Sequence, residues 1–245
     1  MENAAYVGLS RQMTLRRELD IVANNIANAD TTGFKVEQLL VGEEVGERAR
    51  NAFIRPGVSF VLDNGVGRDF SQGALSQTGR TLDFAIEGEG AFFTVQDGAD
   101  QAYTRDGAFT LDAQGRLTTE TGHAVLGDGG EIVINPELGQ VSVGADGTIS
   151  QDGETIGRLS VVRFDSLGVL EKSGDGLYRN ASNAVAQEAP DARVRQGMLE
   201  GSNVNPILEI TNLIEIQRAY ESVTRMIENT TDLSRRAVER LGRAA

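Results

Sequence analysis

The chain has 245 residues, of which 40% are hydrophobic and 5% aromatic, and it contains neither cysteine nor tryptophan. The lack of cysteine excludes a disulfide framework and a thiolate nucleophile, and 29 glycines with few aromatic side chains favour a turn-rich β body over a dense enzyme core. A net charge of −13, with only two lysines, argues against nucleic acid as a partner.

The N-terminus predicts an amphipathic helix over residues 1–33. Its apolar residues recur at spacings of four and three, which places them on one helix face: Leu15, Leu19, Val22 and Ile26. Gly33 is a natural left-handed stop, and the Asn, Asp and Thr side chains before it can bond backbone groups at the helix end. The first residues lack the charged-then-apolar layout of a cleaved signal peptide, and no apolar run approaches the ~18 residues of a membrane span. We therefore expect neither signal cleavage nor membrane insertion.

Residues 36–81 predict an extended connector with some β structure. A charged stretch over 43–50 is followed by a turn signal at Arg55-Pro56-Gly57. Residues 58–62 then alternate like a strand, and Asn64-Gly65 is a strong turn dipeptide.

Residues 82–185 predict an antiparallel β domain, because many short apolar runs alternate with glycine turns. The runs most typical of strands are 84–86, 92–95, 103–104, 109–111, 131–134, 141–143 and 159–164. The hairpin-type dipeptides between them are Asp106-Gly107, Asp128-Gly129, Asp146-Gly147 and Asp152-Gly153. After Tyr178 the chain becomes polar and irregular, and residues 186–199 are predicted to be a return connector.

Residues 205–241 predict a second, longer helix. Asn205 can cap its first amides, Pro206 suits the first helical position and Glu209 places a negative charge in the first turn. Its apolar residues follow the a/d spacing of a coiled-coil helix: Leu213, Ile216, Tyr220, Val223 and Ile227. Such a helix is about 55 Å long, more than a compact domain needs, so we expect the N-terminal helix as its partner. The plainer alternative is two amphipathic helices packed on an ordinary core.

The charges are segregated along the chain in the same way as the predicted elements. Residues 1–35 are net neutral and residues 197–245 carry −1, while residues 36–196 hold 13 basic and 25 acidic side chains, a net charge of −12. Near-neutral amphipathic ends can pack against other helices, whereas an acidic middle resists nonspecific association.

The predicted fold is therefore α+β. Two long terminal helices form a coiled-coil-like layer, with an inserted connector and an antiparallel all-β domain further out. The predicted domains are 1–35 and 200–245, which together form one discontinuous helical core, the connector 36–81, the β domain 82–185 and the return connector 186–199.

The residues give little support to catalysis. His123 is the single histidine and has no cysteine partners, which argues against a metal site. The Gly88-Glu89-Gly90 string lies between predicted strands and opens no helix, which argues against a dinucleotide site. Acidic residues are plentiful, but nothing selects a pair for glycosidase chemistry. We predict that the protein is not an enzyme and uses no cofactor.

Four sequence blocks, spread over nearly the full length, carry a resemblance to a known family. They are 23–35 (ANNIANADTTGFK), 72–75 with 78–93 (TGRTLDFAIEGEGAFF), 103–109 (YTRDGAF) and 197–206 (GMLEGSNVNP). In this combination and order they resemble the bacterial flagellar axial proteins, specifically the flagellar basal-body rod proteins.

The resemblance implies a structural subunit of the periplasmic rod that helps to transmit torque. It implies export by the flagellar type III apparatus without a cleaved signal, with partners among proximal-rod and distal-rod subunits and several copies of itself. In this family the terminal helices form the innermost coiled-coil layer. The opening residues and the short connector resemble the proximal-rod type, with the distal-rod type as the alternative. A secreted β-domain adhesin or binding protein, or a carbohydrate-active enzyme, are rival interpretations.

Two groups of residues are expected to carry this function. The predicted assembly interface consists of Leu15, Leu19, Val22, Asn25, Ile26, Asn28, Gly33, Phe34, Leu213, Ile216, Tyr220, Val223 and Ile227. The residues that match the family motifs are Thr78, Gly79, Arg80, Asp83, Gly88, Gly90, Ser202, Asn203 and Asn205.

Overall fold

The computed structural model describes residues 2–45 and 59–243, and within them it confirms an α+β fold of two long helices and many antiparallel strands. The helices are α1, Glu2–Ala27, and α2, Pro206–Arg243, and a short 3-10 helix spans Leu167–Val169. The strands are β1 Glu37–Val45, β2 Ser59–Arg68, β3 Leu75–Gln77, β4 Phe84–Glu87, β5 Ala91–Asp97, β6 Asp100–Thr104, β7 Phe109–Leu111, β8 Leu117–Thr119, β9 Leu126–Gly127, β10 Gly130–Glu131, β11 Val141–Val143, β12 Thr148–Gln151, β13 Glu154–Arg158, β14 Val161–Arg163, β15 Leu170–Gly174, β16 Leu177–Asn180, β17 Gln187–Glu188, β18 Arg193–Gln196 and β19 Met198–Glu200.

The chain forms two compact units. The helical unit contains α1, β1, β2 and α2, and the β unit contains Asn28–Val36 and Arg68–Val204. The domain bounds expected from the sequence stay predictions. The expected turn at residues 55–57, and most of the charged stretch before it, lie outside the described residues.

The start of α2 can be traced to particular side chains, whereas α1 ends earlier than the sequence predicts. Asn205 caps α2, because its Oδ1 accepts hydrogen bonds from the amides of Ile207 (3.2 Å) and Leu208 (3.3 Å). Pro206 occupies the first helical position, as predicted. The predicted stop of α1 at Gly33 is wrong, since the helix ends at Ala27 and residues 28–33 belong to the β unit.

Strands β1 and β2 pair in a two-stranded sheet of the helical unit. The turn predicted at Asn64-Gly65 is wrong, because β2 runs through both residues, with Gly65 at a φ of +104°. The Asn64 side chain lies over Gly42 of β1, where a Cβ atom would overlap it. Gly42 therefore makes room for the Asn64 side chain of the neighbouring strand.

The β unit is built on a six-stranded antiparallel sheet in the order β15-β16-β6-β5-β14-β17. Its central strand β5 is buried on both faces, which explains its run of aromatic residues. Phe93 packs in the main core with Phe109, at a ring distance of 5.3 Å. Phe92 faces a second core, in which the Tyr103 and Phe164 rings lie 4.8 Å apart.

The glycine turns of the β unit agree only in part with the sequence. Asp128-Gly129 and Asp152-Gly153 join paired strands, and Asp146-Gly147 lies in the turn between β11 and β12. Asp106-Gly107 does not make the predicted hairpin, because β6 pairs with β5 and β16 while β7 pairs with β8.

The strand predicted over 131–134 is also largely wrong. Only Gly130–Glu131 forms a strand, and Val133 makes an isolated bridge with Arg116. Ile132 and Ile134 are buried as an alternating pattern requires, but the Ile132 carbonyl accepts the amide of Leu117, the first residue of β8, and the Ile134 amide donates to the carbonyl of Gly115, just before that strand.

Gly107 has a packing role that provides a first test. Its carbonyl accepts the Phe84 amide (3.0 Å), and a Cβ atom at Gly107 would overlap the Phe84 carbonyl oxygen. We expect Gly107→Ala to lower the free energy of unfolding by about 2 kcal/mol or more, since backbone must move to relieve the overlap. Urea denaturation followed by circular dichroism measures the change.

Gly129→Ala is the matched control, because a Cβ atom there meets no other atom within 4 Å. It should change the free energy of unfolding by less than about 1 kcal/mol. Equal stability of the two variants would contradict the close approach.

Candidate assembly interface

The helical unit brings the two predicted apolar faces together within one chain. Leu15 and Val22 of α1 are buried, while Leu19 and Ile26 are half-buried. On α2 all five predicted residues are half-buried: Leu213, Ile216, Tyr220, Val223 and Ile227. The other apolar residues from 210 to 227 are exposed, except for the half-buried Ala219. Their contribution to contacts between subunits stays a prediction.

Specific contacts show that α1 and α2 face each other along these residues. Gly8 lies so close to Ile227 that an added Cβ would come within 2.9 Å of the Ile227 Cγ1 atom. One turn away, Gln12 Nε2 donates to Thr224 Oγ1 at 3.1 Å. The small residue on α1 thus allows a close approach of the two helices.

A buried polar clamp holds α1, β1 and α2 together at the other end of the pair. Asn25 Nδ2 donates to Glu209 Oε2 (3.0 Å) and to the Glu37 carbonyl (2.8 Å), and Asn25 Oδ1 accepts the Glu37 amide (3.0 Å). Asn25 and Glu209 are both buried, so each needs the other to satisfy its polar atoms. Sequence reasoning assigned Glu209 only to the helix dipole and missed this partner.

Each helix also carries an apolar stripe that its partner does not cover. The outer stripe of α1 consists of Tyr6, Leu9 and Met13, and the outer stripe of α2 consists of Ile207, Ile210 and Ile214. Both stripes have spacings of three and four residues, and these six side chains are between 45% and 79% exposed. Sequence reasoning did not identify either stripe, although the spacing is visible in the sequence. Rows of large exposed apolar side chains indicate interaction surfaces.

The N-terminal motif is anchored in the β unit. The Gly33 amide donates to the Glu200 carbonyl (2.8 Å), and Phe34 is buried with the Lys172 ammonium 4.5 Å from its ring centroid. Gly33 has a φ of +66°, and a Cβ atom there would come within 2.5 Å of the Arg105 carbonyl carbon. Asn28 bonds Thr31 in the turn that precedes this segment. Gly33 therefore serves a close backbone approach rather than a helix end.

Asn203 joins three segments of the β unit through one side chain. Its Oδ1 accepts the Val36 amide (2.8 Å), and its Nδ2 donates to the carbonyls of Asp69 (2.9 Å) and Ser71 (3.2 Å). Its backbone amide donates to the Phe34 carbonyl (3.3 Å). The neighbouring Ser202 accepts the Val204 amide (3.2 Å), which shapes the chain just before α2.

A fully buried charge cluster lies beside these contacts. Lys35 Nζ is 2.6 Å from Glu200 Oε1, and the Arg105 guanidinium is 3.2 Å from Glu200 Oε2. Lys35 also donates to the Ser71 carbonyl, and Arg105 to the carbonyls of Ile86 and Gly88. Burial lowers the pKa of both Lys35 and Arg105, and the Glu200 carboxylate opposes that shift. One carboxylate thus contacts two buried cations.

The remaining motif residues stabilise turns. Arg80 makes a bidentate pair with the buried Asp83, with its Nη2 2.7 Å from Asp83 Oδ1, and the Thr78 hydroxyl donates to Asp83 Oδ2 (2.5 Å). The amides of Thr78 and Gly79 donate to the Gly197 carbonyl.

Gly88 and Gly90 form the turn between β4 and β5 in left-handed conformations, with φ angles of +123° and +71°. The Gly88 amide donates to Gln72 Oε1 at 3.2 Å, and this bond joins the beginning of the second motif block, at residue 72, to the turn in its later part. The motif residues of the β unit thus build its fold rather than an exposed site.

None of the helices in the described part of the chain is both long and apolar enough to cross a bilayer. Among residues 2–45 and 59–243, no three His, Asp or Glu side chains are grouped so that they could hold a metal ion.

Three family models match the chain in sequence order. The model for the flagella basal body rod protein matches residues 6–35, the model for the flagellar hook protein FlgE/F/G D1 domain matches residues 85–151, and the model for the flagellar basal body rod FlgEFG protein C-terminal matches residues 195–240. The first of these contains most of α1, and the third contains most of α2.

Full-length relatives give the same result. The chain is 57% identical to the flagellar basal-body rod protein FlgF of Caulobacter vibrioides, over 99% of both chains. It is 37% identical to FlgF of Rhizobium meliloti, again over 99% of both chains. It is 34% identical to the flagellar basal-body rod protein FlgG of Bacillus subtilis, over 95% of this chain and 97% of the relative.

The buried charge cluster generates a stability prediction. Glu200→Gln keeps the shape of the side chain but leaves Lys35 and Arg105 buried without a counter-charge. We expect it to lower the free energy of unfolding by about 3–5 kcal/mol in urea denaturation at neutral pH. Lys35→Met should lower the free energy of unfolding by a smaller amount, because it leaves the Arg105 cation paired with the Glu200 carboxylate.

The exposed Glu188 provides the control for this test. Glu188→Gln removes the same charge from the surface and should change the free energy of unfolding by less than about 0.5 kcal/mol. If Lys35→Met were as destabilising as Glu200→Gln, charge balance would not be what holds the cluster.

Proposed function

Because the chain belongs to the flagellar basal-body rod protein family, we propose that it is a structural subunit of the bacterial flagellar rod. The subunits assemble through their terminal helices, which form a coiled-coil-like layer, and the rod built from them transmits torque. The observation that carries this proposal is the pair of outer stripes on α1 and α2. Each helix has one face occupied within the chain and a second apolar face available to neighbours.

Two-faced helices suit a filament better than a closed oligomer. A long helix with apolar residues on two sides can pack against its own partner and against a neighbouring subunit at the same time. When such contacts join different surfaces of two copies and do not close into a ring, they generate an open helical assembly. The neighbours are other rod subunits, including copies of this chain.

The proximal rod is the position that we propose for this subunit. The proximal-rod type of the family is FlgF and the distal-rod type is FlgG. The chain is 57% identical to the Caulobacter FlgF and 34% identical to the Bacillus FlgG, which favours the proximal type. The named relatives are rod proteins, and they give no support to a secreted adhesin or a carbohydrate-active enzyme.

We further propose that the flagellar type III apparatus exports the chain to the periplasmic side without signal cleavage. This inference rests on the family resemblance and on the amphipathic character of the N-terminal sequence, which differs from that of a cleaved signal peptide. The family motifs of the β unit then serve folding after export, since they hold turns and a buried charge cluster.

The outer stripe of α2 provides a direct test of assembly. Ile210→Asp places a charge on a residue that is 47% exposed, so we expect the chain to stay folded with an unchanged free energy of unfolding. The same charge should block an apolar contact between subunits, because burial of an unpaired carboxylate is strongly disfavoured. In a strain lacking the gene, this variant should be exported at the normal level but fail to restore swimming.

Ser222→Asp is the control for that variant, because Ser222 is exposed on α2 away from the stripe. It adds the same charge and should swim normally. Normal swimming of the Ile210→Asp strain would refute the outer stripe as a contact between subunits.

The inner face is tested by Ile227→Asp. Ile227 is half-buried against Gly8, so the substitution should separate α1 from α2 while the β unit, which has its own core, stays folded. We expect loss of rod incorporation and motility with export still detectable. The exposed Glu228 is the adjacent control, and Glu228→Asp cells should remain motile. An Ile227→Asp strain that swims would show that assembly does not need this face.

A further inference from the structure

The helical unit contains a groove with an apolar floor and an acidic rim. The groove has a volume of about 220 Å³ and lies between α1, β1 and α2. Ile21, Val22 and Ile216 contribute to its floor. Four carboxylates line it as well: Glu18, Glu37, Glu209 and Glu215. Among the described residues that line the groove there is neither lysine nor arginine, and the nearby Arg11 pairs with Glu18 at 3.5 Å.

The opposite charge lies at the far end of the same chain's longest helix. Residues 206–224 carry three acidic side chains and one arginine, a net charge of −2, whereas residues 225–243 carry five arginines and three acidic side chains, a net charge of +2. Arg235 and Arg236 are exposed, and the Arg235 side chain is 79% accessible. Arg240 and Arg243 follow in the sequence. The helix is therefore acidic near the groove and basic at its C-terminal end.

We propose that the groove binds the arginine-bearing C-terminal end of α2 from a second copy of this chain. The inference rests on the proposed rod function, because it requires copies that meet head to tail. It also specifies which two surfaces meet.

The length of α2 excludes an occupant from the same chain. At 1.5 Å per residue, Arg236 lies about 30 Å along the helix axis from Ile216, so the basic end of α2 cannot reach the groove at its own acidic end. A second copy brings its basic end to the groove without bending either helix. Charge complementarity between the two ends of α2 then favours one head-to-tail orientation.

An arginine side chain fits the groove in both size and chemistry. The groove volume of about 220 Å³ is large enough to admit an arginine side chain. Its aliphatic stem can lie on Val22 and Ile216 while the guanidinium bonds the rim carboxylates. Glu215 is exposed at this rim and provides the most accessible carboxylate.

Binding of a labelled peptide with the sequence of residues 225–245 to the full chain tests this proposal. Fluorescence anisotropy should give saturable binding that weakens as the salt concentration rises. Glu215→Lys should raise the Kd at least tenfold. Glu221→Lys makes the same charge change on an exposed position of α2 that does not line the groove, and it should change the Kd less than twofold.

A charge-swapped pair makes the test specific. A peptide carrying Arg235→Glu and Arg236→Glu should bind the Glu215→Lys chain more tightly than it binds the unaltered chain. The proposal is overturned if the unaltered peptide does not bind, if Glu215→Lys and Glu221→Lys weaken binding equally, or if the swapped pair shows no recovery.

The peptide-binding and swimming experiments can refute the groove contact and the proposed rod assembly separately. Absence of peptide binding together with loss of swimming in the Ile210→Asp strain would remove the groove contact and leave the rod function in place. Peptide binding together with normal swimming of that strain would keep the groove contact and refute the outer stripe.

Discussion

The buried Glu200 carboxylate is the constraint on which the organisation of the β unit depends. It pairs with Lys35, the last residue of the N-terminal motif, and with Arg105, which follows β6. Because Gly33 and Glu200 are also joined through their backbones, the two places where the chain enters and leaves the β unit are neighbours. A buried ion cluster of this kind adds little net stability but strongly penalises any arrangement that breaks it. Its effect is to fix one arrangement of two segments that are 165 residues apart.

In the helical unit a buried Asn side chain, that of Asn25, joins distant segments as the Glu200 carboxylate does in the β unit. Asn25 bonds both the backbone of Glu37 and the side chain of Glu209, which joins the end of α1, the start of β1 and the first turn of α2. Each unit therefore joins an N-terminal segment and a C-terminal segment of the chain by its own buried contact. A packing variant in one unit should for this reason leave the other unit folded, which lets assembly and folding be measured separately.

The sequence predicted those features whose causes are local. Asn205 and Pro206 start α2 as expected because capping involves only the next few residues, and the three-four spacing identified the half-buried face of α2. The family resemblance, which rests on four ordered blocks, is confirmed by full-length relatives. Gly33 and Gly107 were misinterpreted because the reason for glycine at each position is distant in the sequence. A Cβ atom at Gly33 would overlap the backbone at Arg105, and one at Gly107 would overlap the backbone at Phe84. Local turn statistics hold no information about such close approaches.

In the assembly that we propose, the exposed stripes and the charge gradient along α2 have different roles. Apolar contact is not directional, so the outer stripes alone would allow neighbouring helices to slide along one another. Opposite charges at the two ends of a long helix penalise such sliding, because displaced helices bring like charges next to each other. Specificity therefore arises from this repulsion as much as from attraction. The acidic middle of the chain, with a net charge of −12 over residues 36–196, opposes association through any other surface. We propose that a subunit with these three features remains separate at low concentration and still joins a filament in one register.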